Sequence, residues 1–104
     1  MPNLASLSNR ELDRLVAEKV MGWNLNDYTI EGVERNLWSP TSDPAAMLQL
    51  IERMKDRGSS VLINWGEDND LWEVSWITGG KRYSGYDQSL SRALALASGQ
   101  AVGG

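Results

Sequence analysis

The sequence predicts a single α+β domain in which three helices pack with a three-stranded antiparallel meander as an α/β sandwich. The spacing of apolar residues is helical in the first half of the chain, alternates over residues 60–86, and becomes helical again near the end. A chain of 104 residues has the length of one domain. The predicted order is helix, long loop, helix, three strands, helix.

The first helix is predicted over residues 9–21. Ser8 and Glu11 form the S-x-x-E pattern of a capping box, in which each side chain accepts a hydrogen bond from the other residue's backbone N–H. Gly22 suits the left-handed position that ends a helix. The apolar residues recur at helical spacing: Leu12, Leu15, Val16 and Val20.

Residues 23–42 have no sustained period and are predicted to form a long loop, with a short strand or turn as an option over residues 28–33. Long loops in compact domains are often functional. The aromatic residues Trp23, Tyr28 and Trp38 are expected to hold the loop to the core, and they form a candidate binding group.

The second helix is predicted to begin at Pro44 with Asp43 as its N-cap and to end at Gly58. Its buried stripe is expected to consist of Met47, Leu48, Ile51 and Met54. The last turns carry the basic residues Arg53, Lys55 and Arg57. Basic residues suit the negative end of the helix dipole, and we prefer this explanation to a phosphate site.

Three strands are predicted over residues 60–65, 71–78 and 81–86, joined by an acidic turn and a tight glycine turn. In the second strand Trp72 and Trp76 share one face with Val74, opposite Glu73 and Ser75. We expect the tryptophan face to pack against helices. If it faced solvent instead, it would offer a platform for stacking a base.

The last helix is predicted to be capped by Asp87 or Ser89 and to pack through small residues against the sheet. Its apolar face consists of Leu90, Ala93, Leu94 and Ala97. A flexible tail is predicted over residues 99–104. Whether the helices cover one face of the sheet or both is left open.

The absence of both cysteine and histidine restricts the chemistry. Disulfides, thiolate zinc sites and cysteine nucleophiles are excluded, and the commonest general base and metal ligand is missing. We therefore expect a protein that is not an enzyme, with no catalytic residues and no cofactor. Carboxylates cluster at Glu67, Asp68, Asp70 and Glu73, but without the spacing of a calcium loop, so no metal site is predicted.

The first residues lack the regions of a signal peptide, and no apolar run is long enough for a membrane helix. A cytoplasmic protein that does not bind membranes is therefore expected. The net charge of −4 argues against direct nucleic-acid binding. Five tryptophans and three tyrosines without any phenylalanine favour a binding surface.

The candidate binding residues of the third strand are Lys81, Arg82, Tyr83 and Tyr86. An outer strand is open to a partner, and tyrosine and arginine are frequent binding hot spots. The competing explanation is structural: one tyrosine lies in the core, and Arg82 pairs with Glu73 across the hairpin.

The chain resembles the phage ABA sandwich domain family, a group of small phage and prophage proteins. The resemblance lies in residues 9–23 (NRELDRLVAEKVMGW), residues 39–58 (SPTSDPAAMLQLIERMKDRG) and the ending SLSRALALA at residues 89–97. It implies a phage or prophage origin and an α-β-α sandwich. It implies no catalytic residues.

With this resemblance, the leading hypothesis is a phage-type binding protein that inhibits a host antiviral defence system. It would act in the host cytoplasm by occluding a defence protein, as anti-CRISPR proteins do. One alternative is a sponge that sequesters a defence signalling nucleotide. Another is a structural or regulatory phage accessory protein, and a small enzyme is the last. The acidic net charge favours protein occlusion, and a homo-oligomer is left open.

Overall fold

The computed structural model describes residues 4–26 and 29–103 and confirms the α+β fold, with four helices where three were predicted. The elements follow in this order: a 3-10 turn (Leu4–Ser6), α1 (Asn9–Lys19), α2 (Ile30–Leu37), α3 (Pro44–Asp56), β1 (Ser60–Gly66), β2 (Leu71–Thr78), β3 (Lys81–Asp87) and α4 (Leu90–Gly103).

The predicted helix starts are confirmed. At α1, the Ser8 N–H donates to Glu11 Oε1 at 3.0 Å and the Glu11 N–H donates to Ser8 Oγ at 3.1 Å, which completes the capping box. At α3, the Asp43 side chain accepts from the Ala45 N–H at 3.0 Å. Gly22 has φ of 72°, as a left-handed helix stop requires.

Residues 23–42 were predicted to form a loop, with a strand or turn as an option over residues 28–33. This prediction is wrong for Ile30–Leu37, which form helix α2. Its N-cap Thr29 accepts from the Gly32 N–H at 3.0 Å. Its last turn is tied to α1, because Arg14 Nη1 donates to Asn36 Oδ1 at 3.0 Å. A short helix of this kind depends on such tertiary contacts, since it is marginal when isolated.

The sheet has the order β1-β2-β3 with antiparallel pairing throughout, as predicted. Its middle row is Ile63, Val74 and Gly85. The β2–β3 hairpin turns at Gly79 and Gly80, whose φ angles of 58° and 78° have the sign of a type I′ turn. This turn geometry matches the twist of the two strands that it joins.

Helix α4 lies at the centre of the molecule. One side packs on β2 and β3, where Val74 and Trp76 are buried and Trp76 Nε1 donates to Ser98 Oγ at 2.8 Å. Its other side packs on α1 and α3, so every residue from 93 to 98 is buried. The prediction that the tryptophan face of β2 belongs to the core is confirmed, and the stacking platform is not formed.

The prediction of a flexible tail from Gly99 is wrong as far as Gly103, because α4 continues to that residue. Gly99 is buried close to the side chains of Leu4 and Leu15. The missing side chain lets α4 approach α1, and the packing holds the end of the helix in place. Gly104 lies outside the described residues.

In the described chain the helices pack on one face of the sheet. On the opposite face Leu62, Ile77 and Tyr86 are 45%, 36% and 54% exposed. The structure therefore differs from the α-β-α layering implied by the resemblance: the observed layers are sheet, α4, and then α1 with α3. No helix among the described residues is both long and apolar enough to cross a membrane.

Candidate functional site

The candidate site is the sheet face that no described helix covers, called the open face below. Because Val74 and Trp76 point toward α4, the residues that alternate with them point the other way. The strand register then assigns these side chains to the open face: Leu62, Asn64, Leu71, Glu73, Ser75, Ile77, Arg82, Ser84 and Tyr86.

A polar network crosses the centre of the open face. Glu73 Oε2 accepts from the Tyr86 hydroxyl at 2.9 Å and from Arg82 Nη2 at 3.3 Å. Arg82 Nε donates to Ser75 Oγ at 3.0 Å, and the Ser75 and Ser84 hydroxyls lie 2.8 Å apart. The pairing of Arg82 with Glu73 that the sequence suggested as a structural explanation is therefore present. The network fixes the side chains of Arg82 and Tyr86 and leaves both accessible to solvent.

The network changes the acidity of Tyr86. The hydrogen bond to Glu73 raises the pKa of the Tyr86 phenol above its ordinary value, and burial and the negative charge of Glu73 add to the increase. Ser84 and Arg82 act in the opposite direction. Tyr86 therefore stays a neutral hydrogen-bond donor throughout the physiological pH range.

Apolar side chains border the network. Leu62 on β1 lies beside Ser75, and Ile77 on β2 lies beside Arg82. Together with Tyr86 they combine aromatic, guanidinium and aliphatic groups, and Tyr and Arg are the types enriched at binding hot spots. Sequence reasoning did not single out Leu62 or Ile77. The period-two alternation, counted across both hairpins, would have placed them on this face.

The structure separates the candidate residues of β3. Arg82 and Tyr86 lie on the open face, whereas Tyr83 is paired with Trp76 on the α4 side and is half-buried. Lys81 is exposed at the hairpin, opposite Thr78. Two of the four candidates therefore share one surface.

The aromatic residues around α2 form a separate cluster. The rings of Trp23 and Trp38 meet edge to face with centroids 5.0 Å apart, and the Arg35 guanidinium lies 5.3 Å from the Trp23 ring. Trp38 Nε1 donates to Gln49 Oε1 at 2.7 Å. These contacts hold the segment between α2 and α3 in place, so both tryptophans have a packing role. Tyr28 lies outside the described residues.

A cleft of about 220 Å³ lies between α1 and the segment that follows α2. At its base, the buried Asp13 carboxylate accepts from Ser39 Oγ at 2.6 Å and from the Thr41 N–H and hydroxyl at 3.0 Å each. Through these hydrogen bonds, Asp13 holds the segment that follows α2 against α1. The volume is below the roughly 300–1,000 Å³ of typical ligand pockets.

The acidic turn after β1 contains Glu67, Asp68 and Asp70, of which Asp70 has φ of 52°. Within the described part of the chain, no group of three or more carboxylates is arranged to hold a metal ion.

Comparisons with known proteins add no relatives: the chain matches no family model, no curated protein and no solved structure.

Proposed function

We propose that this protein is a non-enzymatic binding protein that attaches to a protein partner through the open face. The observation that supports the proposal is the network of Glu73, Arg82 and Tyr86, which Leu62 and Ile77 border. The Arg82 side chain is 50% exposed and Tyr86 is 54% exposed, although each is fixed by a hydrogen bond. Fixed side chains lose less conformational entropy when a partner binds.

A protein partner suits this face better than a nucleotide. Trp76 is turned into the core, so it cannot stack a base on the open side. Arg82 is already paired with a carboxylate, which competes with phosphate for the guanidinium. The cleft that Ser84 and Tyr86 line at the edge of β3 has a volume of about 230 Å³, below the roughly 300–1,000 Å³ of typical ligand pockets. The rest of the surface is an open sheet face, and broad contact of this kind is typical of protein interfaces. The protein-occlusion hypothesis is therefore favoured over the nucleotide sponge.

The partner that we propose is a component of a host antiviral defence system. The support is the resemblance of the chain to small phage proteins, together with its lack of cysteine and histidine. An inhibitor that covers a functional surface needs no catalytic group. Occlusion in the host cytoplasm would be sufficient for its activity.

The test is an infection assay in isogenic bacterial strains that each carry one defence system. Expression of the protein is expected to restore phage plating in at least one strain. The double substitution Arg82→Ala and Tyr86→Ala should abolish this protection while it changes the free energy of unfolding by no more than about 1–2 kcal/mol. Lys81→Ala, on the same strand but outside the network, is the matched control and should protect fully.

Two results would count against the proposal. If no strain is protected across a broad panel of defence systems, the protein is not a defence inhibitor. If the Arg82→Ala and Tyr86→Ala variant folds and still protects, the open face is not the binding surface. Circular dichroism and thermal unfolding of each variant establish whether it is folded.

A further inference from the structure

Strand β1 is an outer strand with one free edge. Its inner edge pairs with β2 without a bulge, from Ser60 opposite Ile77 to Gly66 opposite Leu71. Among the described residues, no strand pairs with the outer edge. Proteins usually protect such edges with charged residues, proline or bulges, but these seven residues contain none of them. The backbone N–H and C=O groups on this outer edge can form hydrogen bonds with an added strand.

Strand β1 exposes apolar side chains on both faces of the sheet. Leu62 is 45% exposed on the open face, and Ile63 and Trp65 are 43% and 45% exposed on the α4 side. Helix α4 packs on β2 and β3, so it leaves this end of the sheet uncovered. Trp65 rests against Trp72 with ring centroids 5.1 Å apart. A partner that adds a strand beside β1 would cover apolar groups on both faces.

The charges that flank β1 are opposite in sign. The last turns before the strand carry Arg53, Lys55 and Arg57, with Asp56 among them. The turn after the strand carries Glu67, Asp68 and Asp70. Among the described side chains, no lysine or arginine forms an ion pair with these three carboxylates. Lys55 lies 3.9 Å from Glu52, and both side chains are about 70% exposed, so this pair holds Lys55 only weakly.

From this arrangement we infer that β1 pairs antiparallel with β1 of a second copy, which gives a two-fold symmetric dimer. Full overlap of the two strands places the axis at Ile63, with Val61 opposite the second copy's Trp65. Each acidic turn then lies beside the basic end of α3 in the other copy, so opposite charges meet at both ends of the interface. Parallel pairing would bring like charges together.

The dimer joins two three-stranded sheets into one sheet and doubles the open face. A two-fold interface of this kind uses the same strand from both copies, as is common in homodimers. The inference concerns the edge of β1, whereas the proposed function concerns the centre of the open face. Either one can fail while the other holds.

Charge reversal tests the inference, with the mass in solution measured by analytical ultracentrifugation at low salt. The wild-type protein is expected at twice the chain mass of 11.5 kDa. The variant Glu67→Lys/Asp68→Lys and the variant Lys55→Glu/Arg57→Glu should each be monomeric, because like charges then face each other at both ends. Mixing the two variants should restore a dimer, since opposite charges meet again at both ends.

Arg57 Nη1 also donates to the Lys19 and Val20 carbonyls, so its replacement can weaken the fold. Ile63→Lys gives an independent variant, which should be monomeric with an unchanged circular dichroism spectrum. Ile77→Lys on the central strand is its matched control and should stay dimeric.

The inference is overturned by a wild-type protein that remains monomeric up to its solubility limit. It is also overturned if Ile63→Lys stays dimeric, or if the two folded charge-reversal variants do not associate when mixed.

Discussion

At the scale of single residues, Glu73 organises the open face. One carboxylate oxygen accepts from both the Tyr86 phenol and the Arg82 guanidinium. The two side chains are therefore held close together, although they come from positions four residues apart on β3. Removing the negative charge should loosen both contacts at once, which makes Glu73 the most informative single position in the site.

We expect Glu73→Gln to lower the Tyr86 pKa toward its ordinary value of 10.0, because the hydrogen bond to Glu73 is the largest cause of the increase. Since the folded pKa is raised, neutral Tyr86 supports the fold below pH 10, and this contribution is lost as the pH rises through the folded value. A tyrosinate absorbance titration measures the change.

Introducing Tyr86→Phe into the wild type and into Glu73→Gln identifies which absorbance transition belongs to Tyr86. An unchanged Tyr86 transition in Glu73→Gln would show that the hydrogen bond does not form in solution.

The sequence could predict part of this site. The pairing of Glu73 with Arg82 follows from strand alternation and the position of the hairpin. The contribution of Leu62 could not be predicted from β1 alone, because β1 carries apolar residues on both of its faces, and only the register across the hairpin with β2 assigns Leu62 to the open face. Which face the helices cover depends on α4, and nothing in the sequence of β1 specifies it.

At the scale of elements, the ends of α1 and α3 could be predicted because caps are local. Helix α2 was missed because Gly32 lowers its helix propensity and the segment is short. The spacing of Ile30, Val33 and Leu37 was a usable signal. The end of α4 was missed for a different reason: its glycines indicate flexibility, but contacts with Leu4 override that preference.

The capping box of α1 gives a prediction that depends on pH. Ser8→Ala should lower the free energy of unfolding by about 1 kcal/mol at pH 7. Hydrogen bonds from Ser8, first from its backbone and then from its side chain, hold the Glu11 pKa below its ordinary value of 4.5. The contribution of ionised Glu11 is therefore present above pH 4.5 and is lost as the pH falls through the folded value.

Accordingly, the stability difference between wild type and Glu11→Gln should shrink when denaturant unfolding is repeated at progressively lower pH. Glu18→Gln, on the exposed side of the same helix, is the control. A difference that does not vary with pH would argue against the ionised cap.

At the scale of the whole molecule, the close contact between α4 and β3 holds the helices to the sheet. A Cβ at Gly85 would lie within 3.0 Å of the Ala93 carbonyl, the Ala97 N–H and the Leu96 side chain. Two of these neighbours are backbone atoms, which cannot move without displacing the helix. Gly85 therefore sets the distance between the two layers.

We expect Gly85→Ala to lower the free energy of unfolding by about 1–3 kcal/mol, the usual cost of overpacking. Lys81→Ala on the same strand should have little effect, because Lys81 is exposed. Urea unfolding of both variants measures the difference. Equal midpoints would show that the contact between α4 and β3 accepts the added methyl group without strain.

The place of α4 in the chain has a consequence for biosynthesis. Helix α1 and the sheet both bury their apolar surfaces against α4, yet α4 is made after them. While a ribosome is still adding Leu90–Gly103, the earlier elements lack the partner that covers them. We therefore expect the polypeptide to fold once translation has passed α4, and a chaperone that shields the emerging strands to raise its yield.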